Sequence, residues 1–442
     1  MILLPAGNRR HWLRMAGAGL LSASALPLRA NTREPVVVLT SYPDEVVSRM
    51  EAAFEKAHPG YRMQVVWRMP HDALPYLQQP RQGGIDVYWS ASPRTFAAAK
   101  AAGAWRPLDL PRDGLPGQVG KTTISDPAGF FAATEVAGFG FAVHRPGLAQ
   151  AGLPAPQDWK DLADPRYAGR VALPIPARVG FAPTIVEIVL QAHGWDAGWA
   201  LWSAIAGNAR LMDRGATFVS DEVGTGRCLV GISIDFFVAA AVATAGPGSP
   251  LDFVYPRHGG INPGQIARTA QSPNPEGGRA FAAFVLSEAG QRILAHPRIR
   301  KLPARPSVYA GLPGYYNPFA AADRGDYGYD GLQAQSRLAL SSAVFQQMLV
   351  EDHATRTALW QRLHRAEAAA GTPAPALRVA RQALCAPPLT ESAAADPALR
   401  QRFRDRLEGT DPAALLDAER GWRDHTRSRL AEADAALRSL QA

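Results

Sequence analysis

The sequence predicts an α/β protein of two lobes with a helical tail, and three observations carry that reading. At 442 residues the chain is longer than one hydrophobic core ordinarily serves. It opens strand, helix, strand, an order that requires a parallel sheet with the helix as crossover. From Gly331 onward the pattern turns to helical spacing alone, and residues 377–442 are rich in Ala, Arg, Glu and Leu. Hydrophobic residues at 47% and charged residues at 19% are ordinary for a globular chain and exclude a disordered or fibrous class.

Residues 35–40 (PVVVLT) are a β-branched run that Ser41-Tyr42-Pro43 must turn. Residues 44–58 then place Val46, Val47, Met50, Ala53 and Phe54 at a helical period, and Pro59-Gly60 ends them. A second strand alternates over 61–67. After a helical fragment at 73–79, residues 83–92 hold a third strand ending in Ser90-Ala91-Ser92. Residues 129–144 read as extended, interrupted by Gly138 and Gly140. Asp158 can cap a helix carrying Trp159 and Leu162, Asp164-Pro165 is a turn, and Gly169 admits the chain to a strand at 171–173. Arg178 and Gly180 occupy the next turn, Thr184 opens a helix running to His193, and another helix covers 195–208. Ser220, before Asp221-Glu222, reads as a helix start by capping logic. Residues 228–234 form an apolar strand around which the chain is organised; Asp235 and Phe236-Phe237 follow at its end, then a helix to 245. Strands at 251–256 and 266–269 flank a Gly-rich loop at 258–265, and a helix follows at 278–287.

Two strand ends, Thr40-Ser41 and Ser90–Ser92, present hydroxyls and free amides beside helix starts, where unpaired N–H groups hold anions well. Taken singly, each of these serines also reads as a helix cap. Arg178 offers a guanidinium fork suited to phosphate or carboxylate, or else a solvated surface charge. Thr184 and Ser220 are further candidates for an anion. Asp235 stands at the carboxyl end of an apolar strand, where open α/β sheets bind ligands, and can equally cap the following helix. Thr134 and Glu135 are weaker candidates, and Tyr315-Tyr316 reads as a packing or loop pair. The sequence has no H-E-x-x-H, no G-x-S-x-G and no Gly-rich phosphate loop, so catalytic residues, metal ligands and a cofactor are not expected. Cys228 and Cys385 are too few for a cysteine-based metal cluster; an oxidising compartment permits their disulfide, and two free thiols is the simpler reading.

The formal charge of +8 overstates the basicity. Arg9, Arg10, Arg14 and Arg29 lie in the first thirty residues, which hold no acid, so the remainder carries +4 without a basic run of nucleic-acid type. Residues 1–30 combine that basic start with a short apolar stretch and the cleavage-like Leu28-Arg29-Ala30. This is an export signal, twin-arginine-like in its Arg9-Arg10-His11-Trp12-Leu13. The mature chain is expected to be a soluble monomer in the periplasm.

Glu222-Val223-Gly224 with the later VGISIDFF resembles the E-x-G … GI-x-ID-(Y/F)-(Y/F) stretch of periplasmic substrate-binding proteins of ABC importers. The nearest branch is that of ferric-iron, phosphonate and organic-phosphate (hexose phosphate, phosphoglycerate) binders. Pro156-Gln157-Asp158-Trp159-Lys160-Asp161-Leu162 and Asp164-Pro165-Arg166-Tyr167-Ala168-Gly169-Arg170-Val171 are similar to the family's P-x-S-W-x-D-L-x-D-P-x-Y-x-G-K-V. Glu288-Ala289-Gly290-Gln291 and Pro303-Ala304-Arg305 resemble its E-G-Q … P-x-R, and 129–144 its lobe-crossing segment, with His144 where Asn is commoner. The resemblance covers about residues 35–367. It implies a hinged, type II-like two-lobe periplasmic-binding-protein fold: lobe one at 31–130 plus 255–330, lobe two at 131–254, a helix and linker at 331–372, and an unmatched helical extension at 373–442. It also implies capture of a small anionic, phosphorylated or phosphonate-like ligand for an ABC permease, with Ser41, Ser90, Ser92, Arg178, Gly180, Thr184, Ser220 and Asp235 as ligand contacts. Two alternatives stand beside it, a ligand-sensing partner of a membrane sensor kinase and a ferric-iron binder. In ferric members a Tyr pair binds the metal where this chain has Phe236-Phe237, and a phenyl ring cannot ligate iron.

Overall fold

The computed structural model describes residues 33–370, 374–407 and 413–440. The export signal read in residues 1–30 lies outside them. Among the described residues no helix is long and apolar enough to cross a membrane.

The chain begins with strand Glu34–Thr40 (β1), helix Asp44–Ala57 (α1) and strand Tyr61–Trp67 (β2). Helix Pro70–Leu77 (α2), strand Val87–Ser90 (β3) and helix Pro93–Ala101 (α3) follow. β1 pairs in parallel with β2 and β3, as the strand-helix-strand order requires. Its apolar run is nearly continuous because both faces are covered. Val36 and Val38 pack with Phe54 of α1, while Leu39 packs with Phe96 of α3.

Strand Phe131–His144 (β4) is the spine of the molecule. It runs without interruption through Gly138 and Gly140, because those glycines serve a close approach. A Cβ on Gly138 would stand 2.5 Å from the Tyr255 ring, and one on Gly140 would stand 2.3 Å from the Val254 carbonyl. Strand Val171–Pro174 (β5) and helices Ala182–His193 (α4) and Trp195–Gly207 (α5) come next. They are followed by strand Ala209–Met212 (β6), helix Ala216–Gly224 (α6), strand Val230–Ile234 (β7) and helix Asp235–Ala245 (α7). Strands Leu251–Val254 (β8) and Ile261–Thr269 (β9), helix Pro275–Leu286 (α8) and the two-residue strand Leu302–Pro303 (β10) complete the sheet region.

The sheet order is β2-β1-β3-β9-β4-β7-β5-β6, with β8 and β10 also paired to β4 and the two-residue strand Trp105–Arg106 paired to the end of β9. The amino-terminal half of β4 pairs antiparallel with β9, and its carboxyl-terminal half with β7 and β8. β4 thus belongs to both halves of the sheet, each with its own core. Further expectations need correction. Residues 83–84, expected to open the third strand, end a 3-10 turn, and β3 begins at Val87. Residues 261–265, expected as loop, are the first half of β9, where Pro263 is accommodated beside a bulge at Gly264/Gln265. The helix expected at Trp159 is a 3-10 turn, Trp159–Ala163.

The carboxyl-terminal helices are Leu338–Phe345 (α9), His353–Ala369 (α10), Pro375–Cys385 (α11), Pro397–Leu407 (α12) and Ala413–Arg438 (α13). They pack onto α4 and α5 and extend the core there, since Phe345, Phe403 and Trp422 join the cluster holding Trp159, Trp199 and Trp202. Glu187 of α4 is fully buried, paired with Arg337 Nη2 at 2.6 Å and accepting from Ser341 Oγ at 2.5 Å. The Arg356 guanidinium, also buried, donates to the carbonyls of Met348 (3.1 Å) and Leu384 (2.8 Å) and to Ser203 Oγ (2.7 Å). The tail is therefore an outer layer of the second core. Cys228 is buried and Cys385 half-buried, both as free thiols, and burial pushes the Cys228 thiol up to about 11.

Candidate functional site at the strand ends

Hydroxyls gather where β1 and β3 end. Ser41 Oγ lies 2.8 Å from Ser90 Oγ, and Ser90 is fully buried. Ser92 holds the N-cap position of α3, but its hydroxyl pairs with Thr95 Oγ1 at 2.8 Å instead of capping the backbone. Alternation along β3 sends Tyr88 and Ser90 to one face and Trp89 to the other. The Tyr88 hydroxyl lies among Ser90, Ser92 and Thr95 and closes a hydrogen bond on none of them. Burial raises its pKa, so it stays a neutral donor. The positive end of α3 adds to this donor-rich corner.

Behind it, Glu135 is 1% exposed on β4 and accepts from the hydroxyls of Tyr42 and Thr134. Lys301, 7% exposed just before β10, places Nζ 3.0 Å from Glu135 Oε1. The same ammonium stands 4.4 Å from the Tyr42 ring centroid and 5.3 Å from that of Phe236. Burial, then the Glu135 charge, raises the Tyr42 pKa well above that of a free phenol, so this hydroxyl too remains a donor.

Asp235 is the first residue of α7 and is buried. Its Oδ2 accepts from Gly138 N–H at 2.8 Å and from the Tyr255 hydroxyl at 3.0 Å. Burial pushes the carboxyl up to about 6 against those two donors, which pull it down. Asp235 therefore clips β7 and the segment after β8 onto β4. Tyr255 stacks on Tyr316, centroids 3.6 Å apart and rings nearly parallel, and Tyr316 hydrogen-bonds Tyr327 at 2.6 Å. Tyr315 donates to the Lys301 carbonyl at 2.9 Å. The tyrosine pair is a packing pair, as the sequence suggested, and what it packs is the Asp235 and Lys301 neighbourhood.

Arg178 and Gly180 are exposed on the turn between β5 and α4, and among the described residues Arg178 has no side-chain partner. Thr184, in the first turn of α4, faces the Tyr329 hydroxyl. Ser220 does not start a helix. It is the fifth residue of α6, buried, with a hydroxyl that lacks a partner. The preceding Gly215 supplies the N-cap, so the turn falls earlier than the Ser-Asp-Glu pattern implied.

The structure links three of these corners by a row of side chains. Tyr42 meets Lys301, Lys301 meets Phe236, Phe236 meets Phe237 at 4.2 Å, and Phe237 meets Phe181 of the Arg178 turn at 6.2 Å. The row joins the Ser41 corner, Asp235 and the Arg178 turn; Ser220 is not on it. Sequence reasoning missed Tyr42, Tyr88 and Lys301. The signal for Lys301 was slight: one of only five lysines, directly before an apolar pair. His144, in place of the commoner Asn, still caps, since Nδ1 accepts from Gly147 N–H at 2.9 Å.

Residues 85–315 match the family model described as bacterial extracellular solute-binding protein, just over half of the chain. The phosphoglycerate transport regulatory protein PgtC of Salmonella typhimurium is 32% identical over 255 residues, which make up 56% of this chain and 60% of that protein. The matched stretch thus spans about three fifths of that relative. Among solved structures, the periplasmic binding protein AfuA of Actinobacillus pleuropneumoniae, with fructose-6-phosphate bound, superposes with a TM-score of 0.51 at 17% identity. The match covers 69% of this chain and 97% of AfuA. Iron-bound HitA of Pseudomonas aeruginosa gives 0.54 at 16% identity, covering 70% and 99%. These likenesses establish the periplasmic-binding-protein fold, to which this chain adds the helical extension.

Proposed function

The chain belongs to the bacterial extracellular solute-binding protein family, and from that premise we propose that it captures a small anionic organic ligand, phosphorylated or phosphonate-like, between its lobes. Exported to the periplasm, it delivers that ligand to an ABC permease by hinge closure; its role is binding and not catalysis. The observation that carries the reading is the hydroxyl corner at the start of α3: Ser41, Ser90, Ser92 and Thr95 around a buried Tyr88 hydroxyl that lacks a partner. Buried polar groups are normally satisfied, so a donor left over at a ligand site is matched by the ligand. Arg178 supplies an unengaged guanidinium, and Gly180 precedes a helix start that no side chain caps, with Thr184 in its first turn beside the Tyr329 hydroxyl. The names of PgtC and of fructose-6-phosphate-bound AfuA support phosphorylated organic compounds as the class. A ferric ion at Phe236-Phe237 would find no oxygen ligand in that pair and would face the Lys301 ammonium 5.3 Å from the Phe236 ring.

A second reading, ligand sensing for a membrane kinase, is favoured by one feature. The tail is built into the second core, so closure there could be read by a partner docked on it.

Thermal melts of the purified chain test the ligand class, with phosphoglycerates, sugar phosphates, phosphonates and ferric citrate as probes. A ligand at about 100 times its dissociation constant stabilises by ~2.7 kcal/mol. The expected result is a shift with a phosphorylated compound that is reduced in Arg178→Ala and in Ser90→Ala. A shift with ferric citrate alone would overturn the reading. A stable complex with a sensor kinase in cells lacking the permease would move the role to sensing.

A further inference from the structure

Away from the strand ends, three side chains from distant parts of the sequence converge. Asp158 precedes the 3-10 turn Trp159–Ala163, His193 is the last residue of α4, and His258 lies between β8 and β9. One ligand atom from each falls within 4.8 Å of the others. His258 Nδ1 is 3.2 Å from Asp158 Oδ2, and the two imidazole centroids are 5.5 Å apart.

The backbone holds this arrangement in place. Trp159 Nε1 donates to the His258 carbonyl at 3.1 Å, and Arg257 N–H donates to the Gln157 carbonyl at 2.9 Å. His258 itself is held at φ 57, a left-handed conformation uncommon for a residue with a side chain. Asp161 returns its carboxylate to Asp158 N–H at 2.9 Å. The Asp161 N–H faces the Asp158 side chain but closes its bond on the Asp158 carbonyl at 3.1 Å, which leaves Oδ1 without a donor. Asp158 is only 9% exposed, and the buried His193 Nε2 likewise lacks a partner. Two of the three residues therefore each carry a buried ligand atom without a partner, a costly condition for either.

We propose that Asp158, His193 and His258 form a binding site for one divalent transition-metal ion of zinc-like preference. Two imidazoles and a carboxylate are the donor set such ions favour, and a fourth position stays open to water. Ligand atoms bound at about 2.0–2.2 Å in a tetrahedron lie roughly 3.3–3.6 Å apart, and the Asp158–His258 pair at 3.2 Å is close to that spacing. The ion would tie the crossover from β8 to β9 to the end of α4, and so stiffen one of the segments that cross between the lobes. The site is independent of the ligand proposed above.

The test is titration of the metal-stripped full chain with Co²⁺, read by its visible absorption, and then displacement by Zn²⁺. One equivalent per chain is expected. His193→Gln and His258→Asn are each expected to weaken binding by at least about 100-fold, beyond what losing a group that merely orients a ligand costs. Asn is chosen at 258 because it tolerates a left-handed backbone. His71→Gln, an exposed histidine elsewhere, is expected to bind as the parent does. Circular dichroism checks that each variant is folded. A Zn²⁺-induced melting shift present in the parent and lost in both site variants completes the expectation. No Co²⁺ binding by the parent, or binding of equal strength in both folded site variants, overturns the proposal and leaves a plain Asp158–His258 hydrogen bond.

Discussion

Removing the buried ammonium of Lys301 is the sharpest test of how the strand ends are held together. Lys301 is 7% exposed and its partner Glu135 is 1% exposed, so water screens neither well. Breaking a buried pair by deleting one member costs about 3–5 kcal/mol, because the survivor is an uncompensated charge. The two deletions are not equivalent. Lys301→Met leaves Glu135 with two hydroxyl donors, Tyr42 and Thr134, which places the loss near 3 kcal/mol. Glu135→Gln leaves the ammonium with a neutral amide, the faces of Tyr42 and Phe236 and the charge of nearby Asp235, which places the loss near 4 kcal/mol. In the double variant the amide oxygen still accepts from one of the two hydroxyls, its NH2 turns to the oxygen of the other, and the methionine fills the stem's space. It is expected to be more stable than either single variant, with a coupling of about 2 kcal/mol or more. Against a typical total of about 5–15 kcal/mol, each single loss is large. Equilibrium urea unfolding at pH 7, followed by tryptophan fluorescence, measures all four corners of the cycle. Single losses below about 1 kcal/mol, or strict additivity, would refute the argument that this charge pair is desolvated and mutually dependent.

The other expectations concern the carboxylate clip, the tail and the spine. Because burial raises the folded Asp235 pKa to about 6, the native state binds a proton there that the unfolded state has already released. The charged form's penalty is absent below about pH 4 and complete above about pH 6. The parent is expected to lose about 3 kcal/mol relative to Asp235→Asn across that window, read from urea midpoints against pH; a constant difference would contradict it. Glu187→Ala strands Arg337 in the second core. It is expected to cost about 3–5 kcal/mol and to speed proteolytic release of the tail; an unchanged digestion pattern would mean the tail is held by other contacts. Gly138→Ala drives a methyl to within 2.5 Å of the Tyr255 ring and is expected to cost about 1–3 kcal/mol by overpacking, with a melting temperature equal to the parent's as the contrary result.

Local signals made the fold readable in order. The run PVVVLT, the Val46, Val47, Met50 and Phe54 spacing of α1, and the Pro59-Gly60 stop each act within a few residues, and the structure has those elements where the sequence placed them. Where the expectation slipped, longer-range pairing had overruled the local signal. Gly138 and Gly140 look like breaks in isolation, yet they lie mid-strand because Tyr255 and Val254 close over them. Pro263 argues against a strand locally, but a bulge lets β9 continue between β3 and β4. Ser220 carries a capping pattern that Gly215 pre-empts five residues earlier.

The site divides along the same line. That Ser41, Ser90, Ser92 and Asp235 stand at strand ends, and that Phe236-Phe237 offers no oxygen to a metal, follows from residue type and position along the chain alone. That Lys301 meets Glu135 across 166 positions, that Tyr88 is left without a partner and that Asp235 is spent on Gly138 and Tyr255 are matters of tertiary packing. So is the meeting of Asp158, His193 and His258. The physical reason is range: propensity, capping and turn chemistry act over a few residues, whereas desolvation and charge pairing depend on which distant side chains the sheet order brings into contact.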